Sequence, residues 1–177
     1  MDGLVAAREG LRVTVGDEFQ GTYPSLGTAL EAALLVRVDL LPEVDVRIGV
    51  GRGEVTVLDA ERGLQDGPGW WSAREAVEEA EAAAERAATR WSRTAYRSAD
   101  PDPAQDAVNA ALRCRDHLVG SLSERSVRLL RGLMEPQATQ LEPAAREGIS
   151  ASAVSQRVRA DGIGAVLAAQ ALLRELT

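Results

Sequence analysis

The period of the hydrophobic pattern changes several times along the chain, and each change marks an element. Leu11 to Val15 alternates, is rich in β-branched residues, and runs through Gly16-Asp17-Glu18 into Phe19-Gln20-Gly21-Thr22-Tyr23. That pattern predicts a hairpin with Gly-Asp at its turn. From Ser25 to Leu41 the apolar positions Leu26, Ala29, Leu30, Ala33, Leu34 and Val38 recur every three or four residues. This is the stripe of an amphipathic helix, expected to lie on a sheet. Val44, Val46, Ile48 and Val50 then alternate with polar residues and glycine, and Val55 to Leu58 follows Gly51-Arg52-Gly53-Glu54. These two runs predict a second strand pair, with glycine where the backbone bends.

Gln65-Asp66-Gly67-Pro68-Gly69 is a loop by its turn chemistry. It leads into a helix predicted from about Trp70 to Trp91, with Ala73, Ala76, Ala80, Ala84 and Ala87 on one side. A stripe of alanines requires close packing. Two prolines and two acids interrupt regular structure at 98–103. The expected organisation is therefore an α+β domain at 1–97, a linker at 98–103 and an all-helical domain at 104–177. The helices of the second domain are predicted near 104–119, 124–134, 137–146, 150–160 and 164–176. In the first domain the strands are expected to form one antiparallel sheet covered by helices.

Composition removes several classes of function. No apolar run approaches the ~20 residues that span a bilayer, so no membrane partner is expected. Residues 1–10 show neither a basic start nor an apolar stretch, which points to the cytoplasm. One cysteine, Cys114, and one histidine, His117, rule out a zinc or disulfide scaffold. The net charge is −7, but it is uneven: 11 arginines face 20 acids up to residue 112, and 9 face 7 thereafter. Every basic residue is arginine, which we attribute to genomic compositional bias rather than to chemistry.

The C-terminal run Thr139 to Val158 resembles a helix-turn-helix. Ala144 is small where two helices must approach, Gly148 suits a positive-φ turn, and Ser150 can cap the second helix. Ile149, Val154 and Val158 would fill the space between the helices, with Pro143 in the first turn of the first helix. Ala151, Ser152, Ser155 and Gln156 then fall on the outer side, and Arg157 and Arg159 suit phosphate contacts. Arg125, Arg128 and Arg131 recur at three-residue spacing on the preceding helix, a candidate basic stripe. Double-stranded DNA is the expected partner. A polar Glu147 departs from the motif, and a helical hairpin used only for packing or dimerisation would share much of the pattern.

Three further blocks stand in order: Gly16-Asp17-Glu18-Phe19-Gln20-Gly21, Val46-Arg47-Ile48-Gly49-Val50-Gly51-Arg52-Gly53-Glu54-Val55, and Asp66-Gly67-Pro68-Gly69-Trp70-Trp71-Ser72-Ala73-Arg74. With the C-terminal motif they resemble the SatD family over nearly the whole chain. More distantly, the three blocks are similar to the palm-like domain of class III nucleotide cyclases. That second resemblance implies a bound nucleotide held by paired aspartates and Mg²⁺, with Asp17 as a metal ligand and Glu18, Arg47 and Arg74 lining the ligand site. It also implies an opening strand and helix ahead of residue 1, which would supply the second aspartate. Trp70 stands where cyclases carry Asn and Val13 where they often carry Lys. The expectation is thus a sensing domain of degenerate cyclase type rather than an enzyme, in a DNA-binding regulatory protein. A Mg²⁺-dependent nucleotide-processing enzyme and a non-catalytic scaffold are the alternatives. An edge left open by the missing strand would favour a homodimer. The blander readings are that Asp17 and Glu18 only form a turn, that Arg47 and Arg74 pair with nearby carboxylates, and that Trp70 and Trp71 anchor a core.

Overall fold

The computed structural model describes residues 9–13, 16, 18–59 and 62–177. In chain order the elements are β1 (Glu9–Val13), β2 (Phe19–Thr22), α1 (Leu26–Leu40), β3 (Ile48–Arg52), β4 (Thr56–Asp59), β5 (Leu64–Asp66), α2 (Pro68–Ala84), β6 (Thr94–Ser98), α3 (Gln105–Gly120), α4 (Glu124–Leu133), α5 (Leu141–Glu147), α6 (Ala151–Ala160) and α7 (Ile163–Arg174). The chain is mixed α+β and divides into two compact units, residues 46–121 and residues 1–45 together with 122–177. The division therefore does not fall at 98–103. That stretch joins β6 to α3 inside one unit, held by Ser98 N–H donating to Gln105 Oε1 at 2.9 Å and Ala104 N–H to Asp102 Oδ1 at 2.8 Å.

In the discontinuous unit, β1 and β2 form the expected antiparallel hairpin, Val13 opposite Phe19. Ser25 and Thr28 close a reciprocal capping box at the start of α1. This helix is buried around most of its circumference, through Leu30, Ala33 and Leu34 but also Ala32, Val36 and Val38. A helix apolar on all sides needs neighbours on all sides. Its main partners are the helices α7 and α4, not the sheet predicted for it. At Gly27 a Cβ would stand 2.1 Å from the Arg174 carbonyl oxygen, and Gly27 N–H donates to Leu176 O at 2.9 Å. Only glycine permits that approach. At the other end of α1, Arg131 donates to the carbonyls of Val38 (2.8 Å), Asp39 (2.5 Å) and Leu41 (3.0 Å), which lack helical partners.

The continuous unit is built on two parallel strands, β3 and β6, in register from Ile48 opposite Thr94 to Arg52 opposite Ser98. The predicted pairing of 44–50 with 55–58 does not occur, and the central pair is parallel rather than antiparallel. Parallel strands need a long crossover, and α2 supplies it. The small hairpin β4–β5, antiparallel with a bulge between Val57 and Asp59, precedes that helix. α2 packs directly on β3 and β6. Cβ atoms at Gly49 and Gly51 would lie 2.1 Å from the carbonyl oxygens of Ala73 and Gly69. Ala76 and Ala80 meet Ala95 of β6 in a buried cluster. The helix ends at Ala84, short of the predicted Trp91, because Arg86 adopts an extended conformation before a 3-10 turn at Ala87–Thr89.

α3 covers β6 through side chains that replace sheet partners. Asn109 accepts from Tyr96 N–H and donates to Tyr96 O, both at 2.9 Å. Asp116 accepts the N–H groups of Arg93 (2.7 Å) and Thr94 (2.6 Å). Among the described residues no helix is long and apolar enough to cross a membrane.

Candidate functional site

Of the predicted ligand-site residues, Asp17 lies outside the described residues. Glu18 is exposed and belongs to the discontinuous unit, whereas Arg47 and Arg74 belong to 46–121. Arg47 precedes β3 and pairs loosely with Glu81 of α2 at 3.9 Å, both side chains about half exposed. Arg74 is exposed and has no ion pair or hydrogen bond among the described residues. Glu81 is two turns further along α2, so Arg47 engages the helix roughly 10 Å from Arg74.

The start of α2 is occupied by backbone. Gly69 N–H donates to Glu54 O at 3.0 Å, and the amides of Trp70 and Trp71 both reach Gly67 O. Trp70 is half-buried, but Trp71 is 60% exposed, with its indole N–H fixed to Asp66 Oδ1 at 2.9 Å. Trp71 is therefore not the core anchor expected from sequence. Among the described residues no three His, Cys, Asp or Glu side chains cluster to hold a metal.

A polar group gathers where β6 ends. The Tyr96 hydroxyl donates to Asp102 Oδ2 at 2.7 Å. Burial, reinforced by that bond, pushes the Tyr96 pKa above its ordinary value, and the same bond holds Asp102 below the usual carboxylate range. With Gln105 and Asn109 this group serves to anchor α3 to the strand.

The C-terminal helices form the second candidate. α5 ends at Gly148, which adopts φ +63°, and Ser150 Oγ accepts from Ala153 N–H at 3.2 Å to open α6. Both features follow the sequence expectation. Pro143 sits in the first turn of α5, buried, and a Cβ on Gly132 would meet its Cγ at 3.0 Å. Val154 is fully buried, and Ile149 and Val158 are half-buried. On α6, Ser152, Gln156 and Arg159 are exposed at spacings of four and three, which places them on one outward face. Ala151, Ser155 and Arg157 are only half-exposed. Arg157 reaches back to Asp161 at 3.3 Å, a carboxylate that also accepts the buried Ser126 hydroxyl at 2.5 Å. Gln156 and Arg159 have no hydrogen-bond or ion-pair partner among the described residues.

The arginines of α4 are committed elsewhere. Arg128 grips both oxygens of Glu147, at 2.7 and 2.9 Å, and Arg125 stands 3.5 Å from the same carboxylate. Arg131 caps α1, as described. The predicted basic stripe is thus a set of internal ties, and Glu147 is the residue that orders two of them. Its carboxyl is held below the ordinary glutamate range, first by the Arg128 hydrogen bonds. In the sequence Glu147 stands only as a polar departure from the motif. Its one legible signal was an acid on the last turn of α5, with two arginines three residues apart on the neighbouring helix.

No curated protein and no solved structure matches the chain. The family model of the SatD family matches residues 6–176, and with the match covering nearly every residue, the chain belongs to the SatD family.

Proposed function

We propose that this protein is a DNA-binding regulatory protein that reads duplex DNA with α6 as the recognition helix of a helix-turn-helix formed with α5. The observation that carries this reading is the outward row Ser152, Gln156 and Arg159 on a helix whose entry is fixed by a left-handed glycine and a serine cap. Gln is suited to bidentate recognition of adenine, and Arg159 near the helix end is suited to phosphate or guanine. Ala151, Ser155 and Arg157 stand at the margins of the contact.

Affinity has to come from few charges. Divided at the unit boundaries, arginines and acids number 10 to 13 in 46–121 and 10 to 14 in the remainder, so neither unit is basic. With Arg157 and Arg159 as the phosphate contacts of each copy, log K should fall with log salt at a slope of roughly −2 per recognition helix.

Selection from a random duplex library tests the proposal. A recurring site is expected, with Gln156→Ala weakening it about tenfold while leaving random DNA unaffected. Arg159→Ala should weaken all sequences and flatten the salt slope by about one. No enriched sequence together with no salt-dependent binding would overturn it. In the same reading, the cyclase-like portion senses a ligand without turning it over, with exposed Arg74 as its contact for an anionic group. ATP or GTP with Mg²⁺ should raise the melting temperature in an Arg74-dependent way. Formation of a cyclic product would replace sensing by catalysis.

A further inference from the structure

Six arginines lie between the start of α4 and the end of α6, and five of them stand in ion pairs. Arg125 and Arg128 face Glu147, Arg131 faces Asp39, and Arg146 faces Glu135, each pair joining separate elements. The fifth pair, Arg157 with Asp161, lies within α6 and its cap, beside the outward row of Ser152, Gln156 and Arg159. From Leu141 to Asp161 three arginines meet three acids, so the helix-turn-helix carries no net charge. Asp161 is fixed more firmly than its partner. Its Oδ2 accepts the Ser126 hydroxyl at 2.5 Å and Arg157 Nη1 at 3.3 Å, and its N–H donates to Arg157 O at 2.8 Å. Ser126 is fully buried in the first turn of α4, with its hydroxyl 2.9 Å from that of the N-cap Ser123. The α4 dipole also favours a carboxylate at that place. Arg157, by contrast, is 42% exposed and reaches Asp161 through one long bond. The guanidinium can therefore leave while the carboxylate stays.

We infer that Asp161 is a positioning residue that restrains Arg157 and so sets how strongly α6 binds DNA, without altering which sequence it reads. This rests on α6 being the recognition helix. Arg157 reaches a phosphate only by giving up Asp161, and the carboxylate left behind, still held by Ser126, repels that same phosphate. Both costs fall on a phosphate contact, which carries no sequence information, so they weaken every duplex alike. Gln156 makes no contact with Asp161 and keeps its base-reading role. In a motif without net charge, one acid more or less is a large fraction of the attraction available.

Fluorescence anisotropy of the full chain with a selected duplex and with a random-sequence duplex tests the restraint. Asp161→Asn keeps an oxygen for the Ser126 hydroxyl and removes only the charge, so circular dichroism should match the wild type. Asp161→Ser, which keeps a hydroxyl acceptor, serves if the Asn variant misfolds. We expect Asp161→Asn to bind both duplexes about fivefold more tightly, with their affinity ratio unchanged. In an Arg157→Ala chain the same substitution should gain only about twofold, a coupling that a purely structural cap would not show. If the wild type binds DNA and the folded Asp161 variant binds no more tightly, the inference falls and the DNA reading stands. The same holds if the gain is confined to the selected duplex or is undiminished by Arg157→Ala. Binding of a duplex by Asp161→Asn alone would support the restraint, whereas no binding by either protein would overturn both readings.

Discussion

Replacing Asp116 by alanine should cost the 46–121 unit a large part of its stability. The side chain is fully buried. It accepts the amides of Arg93 at 2.7 Å and Thr94 at 2.6 Å, receives the Thr94 hydroxyl at 3.3 Å, and stands 3.9 Å from the buried Arg115 guanidinium. Alanine leaves two amides at the entrance to β6 without this acceptor, at about 1–3 kcal/mol each. It also leaves Arg115 without the adjacent carboxylate, and breaking a buried pair costs about 3–5 kcal/mol. The terms overlap, so we expect a loss of about 4 kcal/mol, against the 5–15 kcal/mol typical of a whole domain. Asp116→Asn keeps the shape and one acceptor oxygen and should lose about half as much. The assay is urea unfolding followed by tryptophan fluorescence. Trp70, Trp71 and Trp91 all lie within 46–121, so the signal reports that unit alone. A loss below about 0.5 kcal/mol for Asp116→Ala would show that the amides find other acceptors and would refute the reasoning.

Two glycine substitutions should separate steric from conformational cost. Gly51→Ala sets a Cβ 2.1 Å from the Gly69 carbonyl and should cost about 3 kcal/mol in the same fluorescence assay, whereas Gly148→Ala has open space around it and should cost only about 1 kcal/mol for its positive φ, read by circular dichroism. Because the Glu147 pKa is lower in the folded state, its contribution is complete above the ordinary glutamate range and is lost as the pH falls through that range. Acid unfolding followed by circular dichroism should therefore show a flatter acid limb, from a lower starting stability, in Glu147→Gln. Arg131→Ala uncaps three carbonyls of α1 and should lower stability by about 1–2 kcal/mol in a thermal melt, with Arg131→Lys recovering only part of it.

The helices α1, α3, α4, α6 and α7 were legible to within about two residues, because a three-to-four period with a cap or a glycine at its end is local information. The failures were those of pairing. Thr94–Ser98 showed no alternation because its first three residues are all buried, with α2 packed on the strand and α3 covering it. Without alternation the strand is invisible in sequence, and so is its pairing with β3. Leu64–Asp66, with three residues, is too short to stand out from the turn chemistry around it. α5 begins at Leu141 rather than Gln137, whose φ of +58° no helix accommodates. The prolines at 101 and 103 look the same in a tight connection within 46–121 as in a linker. For the candidate site, Gly148 and Ser150 were readable from residue type, while the commitment of Arg125, Arg128 and Arg131 depended on which helices become neighbours. Asn109 and Asp116 had a visible signal, polar residues set in the apolar stripe of Val108, Leu112 and Val119.

The discontinuity of the first unit has a consequence during synthesis. A ribosome adds about 5–20 residues per second, so α1 emerges several seconds before α4 and longer still before α7. Throughout that interval a helix apolar on nearly every side has none of the helices that bury it. Residues 46–121, a continuous stretch, can complete their own core while α1 waits. The nascent chain thus displays an aggregation-prone segment before its partners are made, and a chaperone that captures it should act between the emergence of Leu40 and the docking of α7.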